Sequence, residues 1–208
     1  MFYEPKKGYP FNDNPFAALV FPRPIGWVSS LSKKGIANLA PYSFYNAIAY
    51  NPPQIMFSAT DYHNQGGFKD SIANILATKE FVVNLATKKL KTKVNQSSID
   101  APHKIDEFKF CKLKKRKSII VKTPSVADSP VNLECRLFKK INLKTKSKNK
   151  NQNIMIIGEV IGIYIDNKYI KSGQVNSLAM RAISRMGYTE YCEVDSKFLM
   201  ERLKWKKE

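Results

Sequence analysis

RPIGWVSSLSKKGIANLAPYSFYNA, residues Arg23 to Ala47, is the stretch from which the fold of this chain can be read. Aromatic and β-branched residues between Ile25 and Leu31 favour an extended strand. Ser32-Lys33-Lys34-Gly35 then supplies a turn in which Gly35 can take a positive φ. A second strand starts near Ile36, runs toward Phe44 and meets Pro41, which has no N–H to offer a neighbouring strand. That strand must bend, bulge or sit at a sheet edge. Directly beyond the proline come Tyr42, Ser43, Phe44, Tyr45 and Asn46. Their alternation of hydroxyl, ring and amide groups suits a flat, hydrogen-bonding ligand.

Working outward, Asn12-Asp13-Asn14 before Pro15 is a helix-start signal for a short helix that ends before Pro22. Further strands are expected at Gln54–Thr60, Phe81–Leu85, Ile119–Val121, Leu133–Leu143 and Ile154–Ile165, the last with Gly158 and Gly162 as bulge or close-packing positions. Helices are expected at 68–78, where Ile72, Ile75 and Leu76 fall at i, i+3 and i+4, at 90–98 and at 177–186. The loop from Asp61 to Gly67 carries two glycines. The tract from Lys144 to Asn153 is polar and basic without apolar periodicity and reads as an exposed hairpin tip. The charged tail, 201–208, is expected to fray. The sum is a mainly β chain with a few helices, a barrel of antiparallel strands in one domain across 1–208.

A chain of 208 residues, 43% hydrophobic and 25% charged, has the composition of a soluble globular protein. No apolar run approaches the roughly 18–20 residues of a membrane span, and MFYEPKKGYP lacks the apolar region of a secretory signal. Cys111, Cys135 and Cys192 are odd in number and form no CxxC pair, which fits free thiols in a reducing cytoplasm. The net charge of +18 raises the alternative of a basic module for nucleic acid or anionic surfaces. That charge comes from 29 lysines and only six arginines. Arginine is the residue that reads bases and phosphates bidentately, so a solvated lysine-rich surface accounts better for the charge.

The blocks quoted so far resemble the signature of the flavin reductase-like family, the FMN-binding split barrels. The pattern is Arg23-Pro24-Ile25, Ser29-Ser30, Gly35, then Asn38 to Asn46, followed in order by NPPQIMFS at 51–58, KDSIANI at 69–75 with EFVVNL at 80–85, and SRMGYTEY at 184–191. The resemblance spans about Asn14 to Tyr191. It implies a split β-barrel, non-covalent FMN, NAD(P)H as electron donor and a homodimer. The acceptor it implies is a free flavin, ferric iron or a partner oxygenase, with a non-catalytic flavin carrier as a further alternative.

A flavin needs an apolar slot with partners for its pyrimidine edge, hydroxyl or carbonyl partners for its ribityl chain, and cations, hydroxyls and backbone N–H groups for its phosphate. Ser43, Phe44, Tyr45 and Asn46 are candidates for the ring. Ser29 and Ser30 are candidates for the ribityl chain or phosphate, and Ser58, Lys69 and Ser71 for the phosphate. Asp70 is a candidate cap for the helix that follows. Trp27 reads as core or as a flavin neighbour, and Arg185 as a cofactor contact or a structural ion pair. His103 reads as a surface residue or as a lid over the ring, and His63 as a loop residue. The stretch from Tyr62 to Gly67 is longer than the connection usual in the family. No HExxH, GxGxxG or Ser-His-Asp set is present, so no side chain is named as a catalytic acid, base or metal ligand. Reactions carried by a cofactor need none.

The charge reading is tested by filter binding to RNA and duplex DNA across a salt series. Binding is expected to be weak and sequence-independent at physiological salt, because purely phosphate-driven affinity collapses by about 0.2 M. Tight, sequence-selective binding at that salt would contradict it.

Overall fold

A computed structural model describes residues 1–145 and 153–205. Seven strands build the main sheet: β1 Gly26–Leu31, β2 Ala37–Tyr42, β3 Tyr45–Tyr50, β4 Pro53–Thr60, β5 Glu80–Leu85, β6 Val131–Asn142 and β7 Asn153–Ile165. Their order is β2-β1-β5-β6-β7-β4-β3, and every pair is antiparallel. The two edge strands, β2 and β3, are consecutive in the chain and joined only by Ser43 and Phe44. The sheet therefore curls back toward itself without closing, and the chain crosses the split at that two-residue corner.

The β1–β2 hairpin forms where its sequence places it. Gly35 has φ 78°, its N–H donates to the Ser32 carbonyl at 3.0 Å, and the Ser32 hydroxyl accepts from the Ile36 N–H at 3.0 Å. Pro41 stands opposite Trp27 in β2, and the edge position of β2 is what accommodates it. One difference from the sequence reading is decisive for the site. The strand expected to run to Phe44 stops at Tyr42, and a separate strand begins at Tyr45.

Strand alternation divides β1 between two cores. Val28 faces the barrel interior with Tyr42, Phe57, Phe81 and Ile156. Trp27 faces outward into a second cluster with Leu39, Val94 and Phe108. That outer cluster is covered by two short helices, α3 (Lys91–Gln96) and α4 (Glu107–Phe110). The longer α2 (Asp70–Thr78) buries Ile72 and Ile75 in the barrel core and ends at Lys79 in the left-handed conformation. At the N-terminal side, α1 (Phe16–Leu19) starts where Asn14 Oδ1 accepts the Phe16 N–H at 3.0 Å.

Two expected elements are different in the structure. Ile119 to Val121 is not a strand. The N–H groups of Ile119, Ile120 and Val121 all donate to the buried Glu134 carboxylate, at 2.8, 2.7 and 3.0 Å. Charge-assisted bonds of this kind outweigh the β-propensity of three β-branched residues. The helix expected at 177–186 is a single 3₁₀ turn, Leu178–Met180, ended by Arg181 at φ 52°. Ile183–Arg185 is instead a short strand between Arg23–Pro24 and Tyr191–Glu193. The basic tip expected between Lys144 and Asn153 lies for the most part outside the described residues. Residues 201–205 are exposed without regular structure, and 206–208 are outside the described residues.

Gly158 and Gly162 sit at the two register shifts between β6 and β7. A Cβ on Gly158 would lie 2.3 Å from the ring of the fully buried Phe81. Gly158→Ala is therefore expected to destabilise the fold by about 1–3 kcal/mol through overpacking, measured by urea unfolding. A variant as stable as the parent would show that this part of the barrel can give way.

Candidate functional site

The split between the edge strands opens into a cleft of about 340 Å³, at the lower end of the range for small-ligand sites. One wall is the end of β2 and the corner, from Ala40 to Phe44. The other elements are Ser58 and Thr60 of β4, Lys69 to Ser71 at the start of α2, the loop from Ser97 to Ala101, and Glu107 of α4. The corner is tied across the split by the Ser58 N–H, which donates to the Phe44 carbonyl at 2.8 Å. The premature end of β2 frees Ser43 and Phe44 to line this opening.

A buried hydrogen-bond network floors the cleft. The Ser71 hydroxyl donates to Asn38 Oδ1 at 2.7 Å, and the Ser30 hydroxyl to the same oxygen at 3.3 Å. Asn38 Nδ2 donates to Glu107 Oε2 at 3.1 Å, and the Leu39 N–H to that oxygen at 3.0 Å. Glu107 is 4% exposed. Burial raises its carboxyl above the ordinary range, against the lowering effect of the hydrogen bonds it accepts. Burial likewise pushes the Tyr42 phenol up to about 12. Tyr42 thus stays a neutral hydroxyl beside Ser71.

At the mouth, two histidines stack with ring centroids 3.8 Å apart and planes at 21°. His63 Nδ1 accepts the Gln65 N–H at 3.1 Å, so its proton lies on Nε2, which donates to the Ala101 carbonyl at 2.7 Å. His103 Nδ1 lies 2.6 Å from Asp70 Oδ1. The ligand atoms of His63, Asp70 and His103 fall within 4.8 Å of one another, the one such group of three among the described residues. Near-parallel rings do not aim their nitrogens at a common point, and both His63 nitrogens are committed to the backbone. The group reads as a hydrogen-bonded pair beside a stacked ring, not as a metal cage.

The structure gathers Ser43, Phe44, Ser58, Lys69, Asp70 and Ser71 around one cleft, with His103 held at its edge through Asp70. It places the other candidates elsewhere. Trp27 is fully buried and donates from Nε1 to the Ser97 hydroxyl at 2.8 Å, so it supports the cleft wall from behind. Ser29 is buried against the Pro124 carbonyl at 2.7 Å, and Ser30 lies beneath Asn38. Tyr45 turns into the barrel core, and Asn46 is exposed on β3 with its Oδ1 on the Ala47 N–H. Arg185 donates to the Tyr191 hydroxyl at 2.5 Å and to the Tyr188 carbonyl. Both partners are uncharged, so these bonds do not make the ion pair of the sequence reading. Asp70 does not cap α2 with its side chain. Lys69 occupies the cap position without a side-chain bond, and Asp70 is the first helical residue.

Sequence reasoning missed Thr60, Asp61, His63, Asp100 and Glu107 as cleft residues. Asn38 stood inside a quoted motif without a role. Glu107 carries no local signal, standing next to a second acid, Asp106, among apolar and basic residues, and only the approach of α4 to β2 shows where it goes.

The chain matches the model of the flavin reductase like domain over residues 18–179. It is 34% identical to an uncharacterized protein of Aquifex aeolicus (strain VF5) over 174 residues, 83% of this chain and 85% of that one. Its fold is similar to that of nitrilotriacetate monooxygenase component B from Bacillus cereus, with a TM-score of 0.89 and 25% identity over 96% of this chain and 98% of that one. A protein with a split barrel domain from Shewanella frigidimarina NCIMB 400 shares the fold at a TM-score of 0.72 and 18% identity, over 88% and 86%.

The raised carboxyl of Glu107 makes a prediction about pH. Stability tied to this group is present below the unfolded glutamate value of about 4.3 and is lost as pH rises through the higher folded value. Glu107→Gln keeps an acceptor for Asn38 and Leu39 and abolishes the titration. The unfolding free energy of wild type minus variant is expected to fall across that window, read from urea unfolding at a series of pH values. A flat difference would show that Glu107 is solvated well enough to ionise freely.

Proposed function

Because the chain belongs to the flavin reductase-like family, we propose that it is an FMN-dependent oxidoreductase whose cofactor sits non-covalently in the cleft at the barrel split. The observation that carries this reading is the convergence of Ser43, Phe44, Ser58, Lys69 and Ser71, from three separate sequence blocks, on that single opening. The residues suit the cofactor. Phe44 and the neutral Tyr42 offer ring surface and a hydroxyl. Lys69, the Ser58 hydroxyl and the start of α2, with the Ser71 backbone in its first turn, offer the cation, hydroxyl and N–H groups that a phosphate needs.

A bound flavin supplies the redox chemistry, accepting hydride from NADH or NADPH at N5 and passing electrons on to free flavin, ferric iron or a partner oxygenase. The chain's own side chains bind, orient and shield the ring. The oxygenase alternative takes support from the nitrilotriacetate monooxygenase component among its structural neighbours.

We also propose a homodimer. The edge strand β3 leaves Ile48 47% and Tyr50 98% exposed, and the N-terminal segment leaves Phe16 and Leu19 exposed, at 60% and 66%. An isologous contact would bury such apolar surface next to the cleft. A reducing cytoplasm suits the three free cysteines.

The reading is tested on purified protein. It is expected to be yellow, or to quench added FMN, to release FMN on heating, and to bleach under anaerobic NADH or NADPH. Protein that neither carries nor quenches FMN would sink the proposal. Flavin that binds but does not bleach with either nucleotide would make the chain a flavin carrier.

Lys69→Ala separates the phosphate contact from the rest of the site. Losing a charge-assisted bond worth roughly 1.5–3 kcal/mol should weaken FMN about tenfold to a hundredfold. Riboflavin, which lacks the phosphate, should bind as before. Equal weakening toward both flavins, by fluorescence titration, would remove Lys69 from the phosphate site.

A further inference from the structure

For a site expected to take a dianionic phosphate, the cleft has the wrong charge. Among the described residues, Asp61, Asp70, Asp100 and Glu107 line it, against Lys69 alone of the lysines and arginines. His63 contributes no charge, since its Nδ1 accepts a hydrogen bond. Glu107 is pushed by burial toward its neutral form. Asp70 is the carboxylate that matters most, because it sits between Lys69 and Ser71, the two residues best placed for a phosphate, in the first turn of α2.

Asp70 is also a carboxylate that a histidine covers. Its Oδ1 lies 2.6 Å from His103 Nδ1, and its side chain is 16% exposed against 42% for His103. His103 does not line the cleft, so it can act on a ligand there only through Asp70. Its position is built. The His103 N–H donates to Gln65 Oε1 at 3.2 Å, Asn64 Nδ2 donates to the Asp100 carbonyl at 2.8 Å, and His63 Nε2 to the Ala101 carbonyl at 2.7 Å. These three bonds clip the loop around 63–65 to the loop around 100–103. The face of the clipped His63 ring then stacks under His103. The stretch from Tyr62 to Gly67 supplies His63, Asn64 and Gln65, the residues that make the clip.

Resting on the FMN reading above, we propose that His103 is a positioning residue for phosphate recognition. By pairing with Asp70 it removes that carboxylate's repulsion from the phosphate end of the cleft, and so sets the preference for FMN over riboflavin. The clipped His63–Gln65 loop is the support that holds His103 on Asp70.

The test uses the full chain, wild type, His103→Gln, Asp70→Asn and the double variant. FMN and riboflavin dissociation constants are measured by fluorescence quenching at one pH and one ionic strength. For a partly exposed pair, solvent screening limits the effect, so His103→Gln is expected to weaken FMN only about two- to fivefold. Riboflavin should be unaffected. Adding Asp70→Asn to His103→Gln should restore FMN affinity, because the carboxylate between Lys69 and Ser71 is then gone. A merely structural role would not produce that rescue.

Equal loss toward both flavins, no loss at all, or failure of the double variant to recover would each overturn the proposal. If His103→Gln does not fold, His103→Asn takes its place in the single and the double variant. Asp70→Asn alone, with the carboxylate already paired in the wild type, should leave FMN and riboflavin affinity close to wild type, and a marked tightening of FMN would show that Asp70 still repels the phosphate and overturn the proposal. Wild-type protein that binds neither flavin would instead overturn the FMN reading on which the proposal rests.

Discussion

The structure depends on a sheet that cannot close. β2 and β3 are the two edges of one seven-stranded antiparallel sheet, yet only Ser43 and Phe44 separate them in the chain. Consecutive strands usually pair through a hairpin, since a short connection makes pairing the easiest outcome. Here they lie at opposite ends of the strand order, and the chain turns a corner across the gap. Pro41, close to the end of β2, is compatible with an edge and with little else. The cleft is the direct consequence. Its walls come from the corner and from β4, and its far side from the start of α2, which packs on β1 and β2.

A gap in a barrel exposes polar backbone and side chains at the edge of the core, and unpaired groups there are costly. The network from Ser30 through Asn38 to Glu107 and Ser71 meets that cost at the floor of the cleft. Asn38 accepts two hydroxyl protons and donates to a carboxylate, so its amide orientation is determined by its partners. Trp27 anchors the adjoining loop from the other side through Ser97. The cleft is therefore rigid on its barrel side. Its mouth is built from loops joined by hydrogen bonds and one histidine stack. Glu134, which gathers three consecutive N–H groups, plays a comparable part far from the cleft by fixing the Ile119–Val121 loop.

Charge follows a different logic at the surface and in the cleft. The chain carries +18 overall, mostly as lysines, while among the described residues the cleft collects four carboxylates beside one lysine. A long-range positive field can attract an anionic cofactor or co-substrate. Close contacts decide whether the anion can settle, and there the state of each carboxylate matters: Glu107 is shifted by burial and Asp70 is paired with His103.

The sequence by itself determined the elements whose cause is local. The β1–β2 hairpin follows from Gly35 and the flanking strand residues, α2 from the 3.6-residue spacing of Ile72 and Ile75, and the two register shifts between β6 and β7 fall at the glycines of β7. The ordered motif blocks also pointed to the family and to six residues that line the cleft. What only the tertiary structure decided are matters of long-range company. Ser29 and Ser30 share a motif with Ser43 yet lie beneath the site, because strand alternation and the helices that cover β1 bury both of its faces. Ile119 to Val121 leaves its strand propensity because a carboxylate from β6 competes for its N–H groups. Glu107 and His63, silent in the sequence, reach the cleft because α4 and the 61–67 loop pack beside residues far away in the chain. Local propensity acts over a few residues, whereas burial, charge pairing and the split itself arise only once distant segments meet.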